Sequence, residues 1–353
     1  MTNWHTLIES ENPLLGMRMA AGLYSLGWRC YLGWYELGLK RRFKAPCLVI
    51  GVGNLTVGGT GKTPFVIMLA ELLTAQGMKV AVSCSGYGGK AWKETTLLEP
   101  NQKLPPEIIG EEPLLIRNAL PDIPIVIGQK RVPAVKAAYE RWKPDVIILD
   151  DGFQHLPLAR DIDIVLMDAN KPFGNGFTLP AGTLREPISG LHRASAIVLT
   201  SQQDCVSEPI IHSFNPKLPV FKAYRGVNQL WEARSGTVNE LERLEESGII
   251  AVSAIGDPSS FENTLKVLGA NLLEVVRKRD HYAYTAADMS QIEAIAQRRN
   301  ADAIVTTEKD YVKLQPFVLK AGIPIFILKV KMRLESESLF VDWLVNLIHA
   351  QKS

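Results

Sequence analysis

The stretch from Leu48 to Thr63 constrains the fold of this chain more than any other. It reads Leu-Val-Ile-Gly-Val-Gly-Asn-Leu-Thr-Val-Gly-Gly-Thr-Gly-Lys-Thr, an apolar, β-branched run that passes into glycines. A buried strand, a glycine-rich turn and the start of a helix are what a phosphate-binding loop requires. The glycines allow backbone N–H groups to converge on phosphate oxygens, and the new helix adds the positive end of its dipole. The stretch therefore predicts a site for nucleotide phosphates.

The residue types in this turn suit ATP. Lys62 is expected to reach the β- and γ-phosphates, and the Thr63 hydroxyl is expected to take a ligand position on Mg²⁺. We expect a continuous run of residues to bind the nucleotide: Thr56, Val57, Gly58, Gly59, Thr60, Gly61, Lys62 and Thr63. The match to G-x-x-x-x-G-K-[ST] is incomplete because Thr56 occupies the first glycine position, so an ordinary glycine-rich turn is the alternative. A dinucleotide site at Gly51-Val-Gly53 is disfavoured, because its third glycine position is also Thr56.

Length and composition limit the class of protein. At 353 residues the chain is long enough for roughly two domains. Its 39 basic and 37 acidic residues give a net charge of +2, which gives no indication of a nucleic-acid partner. The four cysteines are too widely spaced for a metal or disulfide framework, and the first residues lack the basic region of a signal peptide. We therefore expect a protein of the reducing cytoplasm that binds no nucleic acid.

The order of apolar strands and helices predicts an α/β protein. Residues 46–217 alternate strands with helices around the glycine-rich turn, which predicts a P-loop NTPase-like domain with a doubly wound sheet. The pattern restarts from residue 218, so residues 218–353 are expected to form a second, smaller α/β domain without a phosphate loop. Residues 1–45 are expected to form an N-terminal amphipathic helix outside both domains.

This N-terminal helix is expected to run from Leu14 to Lys40, with Asn12-Pro13 as its cap and first turn. Its aromatic residues share one stripe of the helical wheel: Tyr24, Trp28, Tyr31 and Tyr35. The longest uncharged run has ten residues and is too short to span a bilayer. Aromatic residues followed by the basic cluster Lys40–Lys44 suit a membrane interface. A helix packed on the protein's own core is the alternative, and the basic cluster favours the membrane surface.

Candidate metal ligands follow a second apolar strand. Residues 144–149 run into Asp150-Asp151, and P-loop enzymes use carboxylates at a strand end to hold Mg²⁺ and its water shell. Two adjacent acids are also common in turns, which is the alternative. The long loop 173–187 carries Arg185-Glu186, a planar cation beside another candidate ligand. We expect Mg²⁺ to be held by Thr63, Asp150, Asp151 and Glu186.

Two further residues carry little information when taken alone. Glu111 opens a helix after Gly110, where an acid most often stabilises the helix dipole. His281 follows Asp280 in a basic stretch, where a surface histidine is the plain interpretation.

Taken together, these stretches resemble the tetraacyldisaccharide 4′-kinase family, the lipid A 4′-kinases of Gram-negative bacteria. The turn from Gly53 to Pro64 resembles the family's own variant of the phosphate loop, Thr56 included. Further motifs match in the family's order: Asp150-Asp-Gly-Phe-Gln-His155, Phe173-Gly-Asn-Gly176, Leu179-Pro-Ala-Gly182, Leu184-Arg-Glu-Pro187, Asp280-His281 and Thr306-Thr-Glu-Lys-Asp310. The matching stretches extend from residue 50 to residue 310.

The resemblance implies transfer of the ATP γ-phosphate to the 4′-hydroxyl of a tetraacylated glucosamine disaccharide 1-phosphate, with Mg²⁺ as cofactor. It implies a peripheral position on the cytoplasmic face of the inner membrane, and we expect a monomer. In the family the catalytic base is the acid of the Gly-acid-Glu-Pro turn, here Glu111, and its partner is the histidine of the Asp-His motif, here His281. Such a pair would accept the hydroxyl proton once the two domains close. Lys62, Asp150 and Asp151 complete the expected catalytic set.

The sequence departs from the family pattern at three positions. Glu111 stands where Asp is usual, and Thr183 stands where Pro is common. Ser85 stands where the family usually has Arg, which removes a partner for phosphate or carboxylate. The sequence leaves open whether Arg131 or Arg185 supplies that positive charge.

Two other classes of function compete with a membrane-surface lipid kinase. One is a P-loop NTPase that hydrolyses nucleotide to switch a protein partner, as in cell-division, partitioning or metallochaperone ATPases. The sequence has no Cys/His cluster, which counts against metal delivery. The long loop 173–187 and a histidine in the second domain instead favour a small-molecule acceptor. The other is a glycine-rich structural or interaction protein, which leaves Lys62 and Asp150-Asp151 without a role.

Overall fold

The computed structural model describes residues 10, 12–200, 211, 212, 214–280, 282–318 and 321–352. The chain divides into two compact units, Met1–Arg225 with Met332–Ser353, and Gly226–Lys331. The fold is α/β, as predicted from the sequence. His281 lies outside the described residues, so its predicted role stays a prediction.

The first unit is built on a mixed sheet. Its strands are β1 (Leu48–Asn54), β2 (Val80–Cys84), β3 (Thr96–Leu98), β4 (Ile125–Ile127), β5 (Val146–Asp150), β6 (Ile162–Asp168), β7 (Ala196–Thr200) and the start of β8 (Val220–Glu232). They lie in the order β8-β7-β6-β1-β5-β2-β4-β3, with β3 antiparallel to β4 and the other neighbouring pairs parallel.

Strand β1 is central, and all its residues are buried, as expected of a strand that is covered on both faces. Its parallel pairing with β5 places Val52 beside Asp150. The carboxyl ends of these two strands therefore meet at one edge of the sheet, which is where open α/β sheets bind ligands.

Helices flank this sheet. Those of the first unit are α1 (Leu15–Glu36), α2 (Lys62–Ala75), α3 (Pro106–Ile109), α4 (Glu111–Ala119), α5 (Arg131–Trp142) and α9 (Glu337–Lys352). Helix α2 buries Phe65, Leu69 and Leu73, which fixes its first turn over the end of β1. The end of α4 is held by the buried guanidinium of Arg117, which donates to backbone carbonyls of Leu98, Leu120, Pro121 and Ile123.

The second unit contains a smaller parallel sheet. Its strands are β9 (Val238–Asn239), β10 (Gly248–Ser253), β11 (Asn271–Arg277), β12 (Ala303–Thr307) and β13 (Ile325–Leu334), and its helices are α6 (Pro258–Val267), α7 (Ala286–Arg298) and α8 (Glu308–Val318). The parallel strands lie in the order β11-β10-β12-β13, and β9 forms a short antiparallel pair with β8.

The unit boundaries differ from the predicted ones. The first unit extends to Arg225 rather than to residue 217, and it includes α9, which the sequence pattern had assigned to the second domain. The physical reason is apolar packing: the buried ring of Phe340 on α9 lies 5.9 Å from the Phe65 ring and 5.0 Å from the Phe221 ring, measured between centroids.

The N-terminal helix is also shorter than predicted. It ends at Glu36 rather than Lys40, and Gly38 follows with a φ of +73°, a conformation that glycine adopts without strain. None of the helices in the described part of the chain has the length and apolar character that crossing a bilayer requires.

Candidate active site

The glycine-rich turn leads from β1 into α2 as the sequence predicts. Gly61 precedes the helix with a φ of +86°, a left-handed conformation that glycine adopts without strain. Lys62 is the first helical residue, and its Nζ donates to Oδ1 of the buried Asn54 across 3.2 Å. Asn54 in turn donates from Nδ2 to the carbonyl of Thr56 at 2.6 Å, so it braces both the lysine and the turn.

Among the described residues, the buried hydroxyl of Thr60 in the turn has no hydrogen-bond partner. A buried polar atom without a partner is costly unless a ligand or water satisfies it. Thr60 Oγ1 is therefore suited to contact a phosphate oxygen.

The two predicted carboxylates lie at the same edge of the sheet. Thr63 Oγ1 donates to Oδ2 of Asp150 across 2.9 Å, and Lys62 Nζ lies 3.7 Å from Oδ1 of Asp151. Asp151 has a left-handed φ of +54°, which turns the chain sharply directly after β5. The turn and the carboxylates, far apart in sequence, thus form one polar group.

The donor set suits a magnesium ion. Asp150 Oδ1 is buried and accepts no hydrogen bond from any described residue, and Thr63 Oγ1 lies beside the same carboxylate. The described residues contain no cluster of three or more His, Cys, Asp and Glu side chains that would hold a metal alone. Mg²⁺ is usually bound by one or two carboxylates together with substrate phosphates, so two protein ligands are sufficient.

The two acids differ in their protonation. Burial raises the pKa of Asp150 to about 7, and the negative charges of Glu112 and Asp151 act in the same direction. Burial also pushes the pKa of Asp151 upward, but the positive charges of Lys62 and Arg185 outweigh burial and hold it below its ordinary value. Asp151 is therefore ionised at neutral pH, and a bound cation would favour the charged form of Asp150.

Arg185 and Glu186 occupy different environments. Arg185 Nη1 donates to both carboxylate oxygens of Asp151, at 2.9 and 2.8 Å. Glu186 is buried, and its oxygens accept from Gln154 Nε2 at 2.8 Å and from Arg193 Nη2 at 2.8 Å. Glu186 therefore has protein partners, and its predicted role as a metal ligand stays a prediction.

Arg131 and Arg185 both lie near the two acids, but they contact different groups. Arg131 is buried, and its Nη2 donates to the backbone carbonyl of Asp150 at 2.6 Å, so it supports the end of β5 from within the core. Burial lowers the pKa of Arg131. Arg185 is the arginine whose guanidinium contacts a site carboxylate, as described above.

Glu111 opens α4 as predicted. Gly110 before it has a φ of +89°, and its Cβ position lies only 2.8 Å from the Tyr87 carbonyl, so α4 starts against the loop that follows β2. The negative charge of the neighbouring acid, Glu112, contributes to the raised pKa of Asp150. The role of Glu111 as a base stays a prediction.

Sequence reasoning did not assign roles to several residues that support the site: Asn54, Gln154, Arg193 and Arg225. Asn54 and Gln154 lie inside the glycine-rich stretch and the Asp-Asp-Gly-Phe-Gln-His motif, so their positions in the sequence indicated a role at the site. Arg225 Nη2 donates to the Gly59 carbonyl at 3.2 Å. The two residues are 166 positions apart, so no local sequence pattern indicates this contact.

A lysine, two threonines and two carboxylates at the carboxyl ends of parallel strands are features of α/β enzymes that transfer phosphate groups. A family model described as Tetraacyldisaccharide-1-P 4'-kinase matches residues 14–349. The chain therefore belongs to the tetraacyldisaccharide 4′-kinase family. The activity predicted from the sequence, ATP-dependent phosphorylation of the lipid A precursor at its 4′ position, is confirmed at the level of this family.

Individual members of the family are similar to this chain over most of their length. The tetraacyldisaccharide 4'-kinase of Syntrophus aciditrophicus is 39% identical over 320 residues, 87% of this chain and 85% of its own. That of Geobacter sulfurreducens is 38% identical and covers 94% of each chain. The crystal structure of LpxK from Aquifex aeolicus, described as an "apo" form in complex with ATP, has a TM-score of 0.74 and 33% identity, and covers 93% of this chain and 97% of its own.

Proposed function

We propose that the chain binds ATP at residues 56–63 and transfers its γ-phosphate to the 4′-hydroxyl of a tetraacyldisaccharide 1-phosphate. The observation that supports this assignment best is the pairing of turn and carboxylates, Thr63 with Asp150 and Lys62 with Asp151. Phosphoryl transfer depends on positioning and on stabilising negative charge, and this group supplies donors and cations at a sheet edge where phosphates bind.

Mg²⁺ belongs to this proposal as the cofactor. Thr63 and Asp150 would hold it, with Asp151 close by, because Asp150 Oδ1 is buried and accepts no hydrogen bond from the described residues. When bound, the ion would neutralise charge on the phosphates. Lys62 would contact the phosphates directly, and Arg185 would keep Asp151 ionised and oriented.

For the acceptor we propose that Glu111, paired with His281, accepts the proton of the 4′-hydroxyl. The support is the position of Glu111 at the start of α4, against the loop after β2 and next to Glu112, whose charge contributes to the raised pKa of Asp150. A base in this position would act on the acceptor rather than on the nucleotide.

We further propose that α1 lies on the membrane. Large apolar side chains at helical spacing are exposed on one side: Leu15, Met19, Leu23 and Leu26, each at least 58% exposed. The basic cluster Lys40–Lys44 follows the helix, and Lys40 Nζ lies 4.5 Å from the centre of the Trp34 ring. Exposed apolar residues, the exposed Trp34 ring and basic charge suit the anionic surface that carries a lipid acceptor.

Within a cell, this proposal places the enzyme on the cytoplasmic face of the inner membrane. A monomer is sufficient for it, because the turn, the lysine and the carboxylates come from one chain. A nucleic-acid partner has no place in the scheme, in keeping with the net charge of +2.

Replacement of Lys62 tests the proposal. Lys62→Ala should lower the rate of transfer from labelled ATP to the disaccharide by at least about 10²-fold, because a cation at the transferred phosphate is lost. Lys79→Ala removes an exposed lysine near β2 and is the matched control, with unchanged activity. A Lys62→Ala enzyme with near-normal turnover would remove the phosphate-loop assignment.

A further inference from the structure

The loop that carries Arg185 and Glu186 is held by the N-terminal helix. The Tyr24 hydroxyl on α1 donates to the backbone carbonyl of Arg185 across 2.7 Å. The same hydroxyl accepts from Trp28 Nε1 at 2.9 Å, so both its donor and its acceptor functions are used. Because a peptide unit is planar, this hydrogen bond fixes the unit that joins Arg185 to Glu186.

Other contacts seat α1 on the same loop. Thr178 Oγ1 donates to the carbonyl of Ala21 at 3.0 Å and lies 2.8 Å from Ser25 Oγ. The Arg18 guanidinium lies 5.0 Å from the centre of the Phe177 ring. Ala21 is buried in this contact region, on a helix that otherwise exposes much of its surface. The face of α1 opposite the proposed membrane contact is thus occupied by residues of the loop.

The loop is in turn hydrogen-bonded to the start of the glycine-rich turn. The Arg185 N–H donates to the Leu55 carbonyl at 2.7 Å, and the Val57 N–H donates to the Thr183 carbonyl at 2.8 Å. The Arg185 side chain reaches Asp151 at 2.8 Å. A shift of the Arg185 carbonyl would therefore move a site cation and the backbone beside the phosphate loop together.

We infer that Tyr24 is a positioning residue for phosphoryl transfer, so that α1 shapes the active site in addition to contacting the membrane. This inference rests on the proposed function of the site, because it acts through Arg185 and Asp151. Small misplacements of catalytic groups lower rates strongly, so a helix seated on the lipid surface would also set the geometry of the loop that faces the nucleotide. The contact links the membrane-bound element to the chemical step.

Tyr24→Phe in the full-length protein tests this inference. Tyr24 is 36% exposed, so loss of its hydroxyl should not disturb folding. We expect kcat to fall about 5- to 20-fold, in line with loss of one or two hydrogen bonds. The KM values for ATP and for the disaccharide in mixed micelles, and sedimentation with vesicles of phosphatidylglycerol and phosphatidylethanolamine, should change less than twofold.

Tyr139→Phe is the matched control. It removes a tyrosine hydroxyl from α5, outside both α1 and the loop, where the centre of the Tyr139 ring lies 4.6 Å from Lys143 Nζ. Its kcat and vesicle binding should both be unchanged. A Tyr24→Phe enzyme with normal kcat would overturn the inference, and so would a loss of vesicle binding in parallel with kcat, which would assign Tyr24 to membrane attachment.

A double variant tests the route through Arg185. Tyr24→Phe should have little further effect on kcat in an Arg185→Lys background, whereas independent, multiplicative losses would contradict the proposed route. Lys62→Ala separates this inference from the proposed function. An inactive Lys62→Ala enzyme together with a normal Tyr24→Phe enzyme would reject only the role of Tyr24, and an active Lys62→Ala enzyme would reject the site itself.

Discussion

The Thr63 hydroxyl donates a hydrogen bond to Oδ2 of Asp150, 2.9 Å away, and thereby joins the first turn of α2 to the carboxyl end of β5. The pairing follows from the sheet, since β1 and β5 are parallel neighbours in which Val52 lies beside Asp150. It leaves Oδ1 of Asp150 without a hydrogen-bond partner among the described residues, at the place where a metal ion and phosphates are proposed to bind.

Thr63→Ala removes the hydroxyl from this pair. We expect kcat to fall by about 10²-fold or more because a proposed Mg²⁺ ligand is lost, while the fold survives. Thr74→Ala is the matched control, since Thr74 lies on the same helix and its hydroxyl donates to the Ala70 carbonyl within that helix. Steady-state transfer assays across a range of Mg²⁺ concentrations would check this, and an equal loss in both variants would argue against a metal role.

Glu111→Gln distinguishes a catalytic base from a helix-dipole residue. If Glu111 is the base, the substitution should lower kcat by about 10²–10⁴-fold and leave ATP binding nearly unchanged. If Glu111 only stabilises the helix dipole, the substitution should lower the free energy of unfolding by roughly a few tenths of a kcal/mol and change the rate little. If Glu111 acts with His281, the double variant with His281→Ala should lose much less than the product of the two single losses.

Glu111→Asp restores the residue that is usual in the family. It should retain substantial activity if both side-chain lengths reach the hydroxyl. Single-turnover transfer to the disaccharide is the appropriate measurement for all these variants. Multiplicative losses in the double variant would show that Glu111 and His281 do not act as a pair. An unimpaired Glu111→Gln enzyme would show that Glu111 only stabilises the helix dipole.

Deletion of residues 1–40 tests the membrane proposal. The exposed side chains of Leu15, Met19, Leu23 and Leu26 would be removed with α1, so the shortened protein should stay in the supernatant when sedimented with anionic vesicles. It should still bind nucleotide, because α2 and β1 are intact. If full-length protein is soluble without detergent and the shortened protein aggregates, α1 is part of the core instead.

Burial of His155 should make the stability of the folded protein sensitive to acid. Burial lowers its pKa to about 4, and the positive charges of Arg131 and Arg160 contribute. A histidine in the unfolded chain has a pKa near 6.5. Between about pH 7 and pH 4 the unfolded state therefore binds a proton at His155 that the folded state does not bind. The free energy of unfolding should therefore fall as the pH falls through this window.

Thermal unfolding at pH 7.5 and pH 5 would measure this effect. His155→Gln should show a smaller decrease in Tm on acidification than the wild-type protein. His192→Gln is the contrasting variant: His192 is exposed and its Nε2 lies 2.8 Å from Glu36 Oε1, so its removal should not reduce the decrease in Tm on acidification. An unchanged pH dependence in His155→Gln would contradict the role assigned to burial of His155.

Much of the site could be predicted because its signals are local. The apolar run, the glycines and Gly-Lys-Thr follow one another directly, and Asp150-Asp151 end an apolar strand, so strand, turn and helix can be recognised without tertiary information. The register that brings Asp150 to Thr63 follows once both strands are parallel in one sheet.

Other features depend on long-range packing. The amphipathic pattern of α9 does not reveal which sheet it covers, and its place in the first unit is decided by contacts of Phe340 with Phe65 and Phe221. The contact of Arg225 with Gly59 and that of Tyr24 with Arg185 join residues more than 150 positions apart. Such pairs leave no periodic trace in either segment.

The most direct test of phosphoryl transfer at this edge of the sheet is the single-turnover rate for Asp150→Asn with labelled ATP and disaccharide. Asp168→Asn is the matched control, because Asp168 also ends a strand of the sheet but is exposed and accepts from the backbone of Asn170. The structure predicts that the Asp150→Asn rate falls by about 10²–10³-fold while Asp168→Asn transfers at the wild-type rate. Transfer by Asp150→Asn at the wild-type rate would contradict the assignment of the active site.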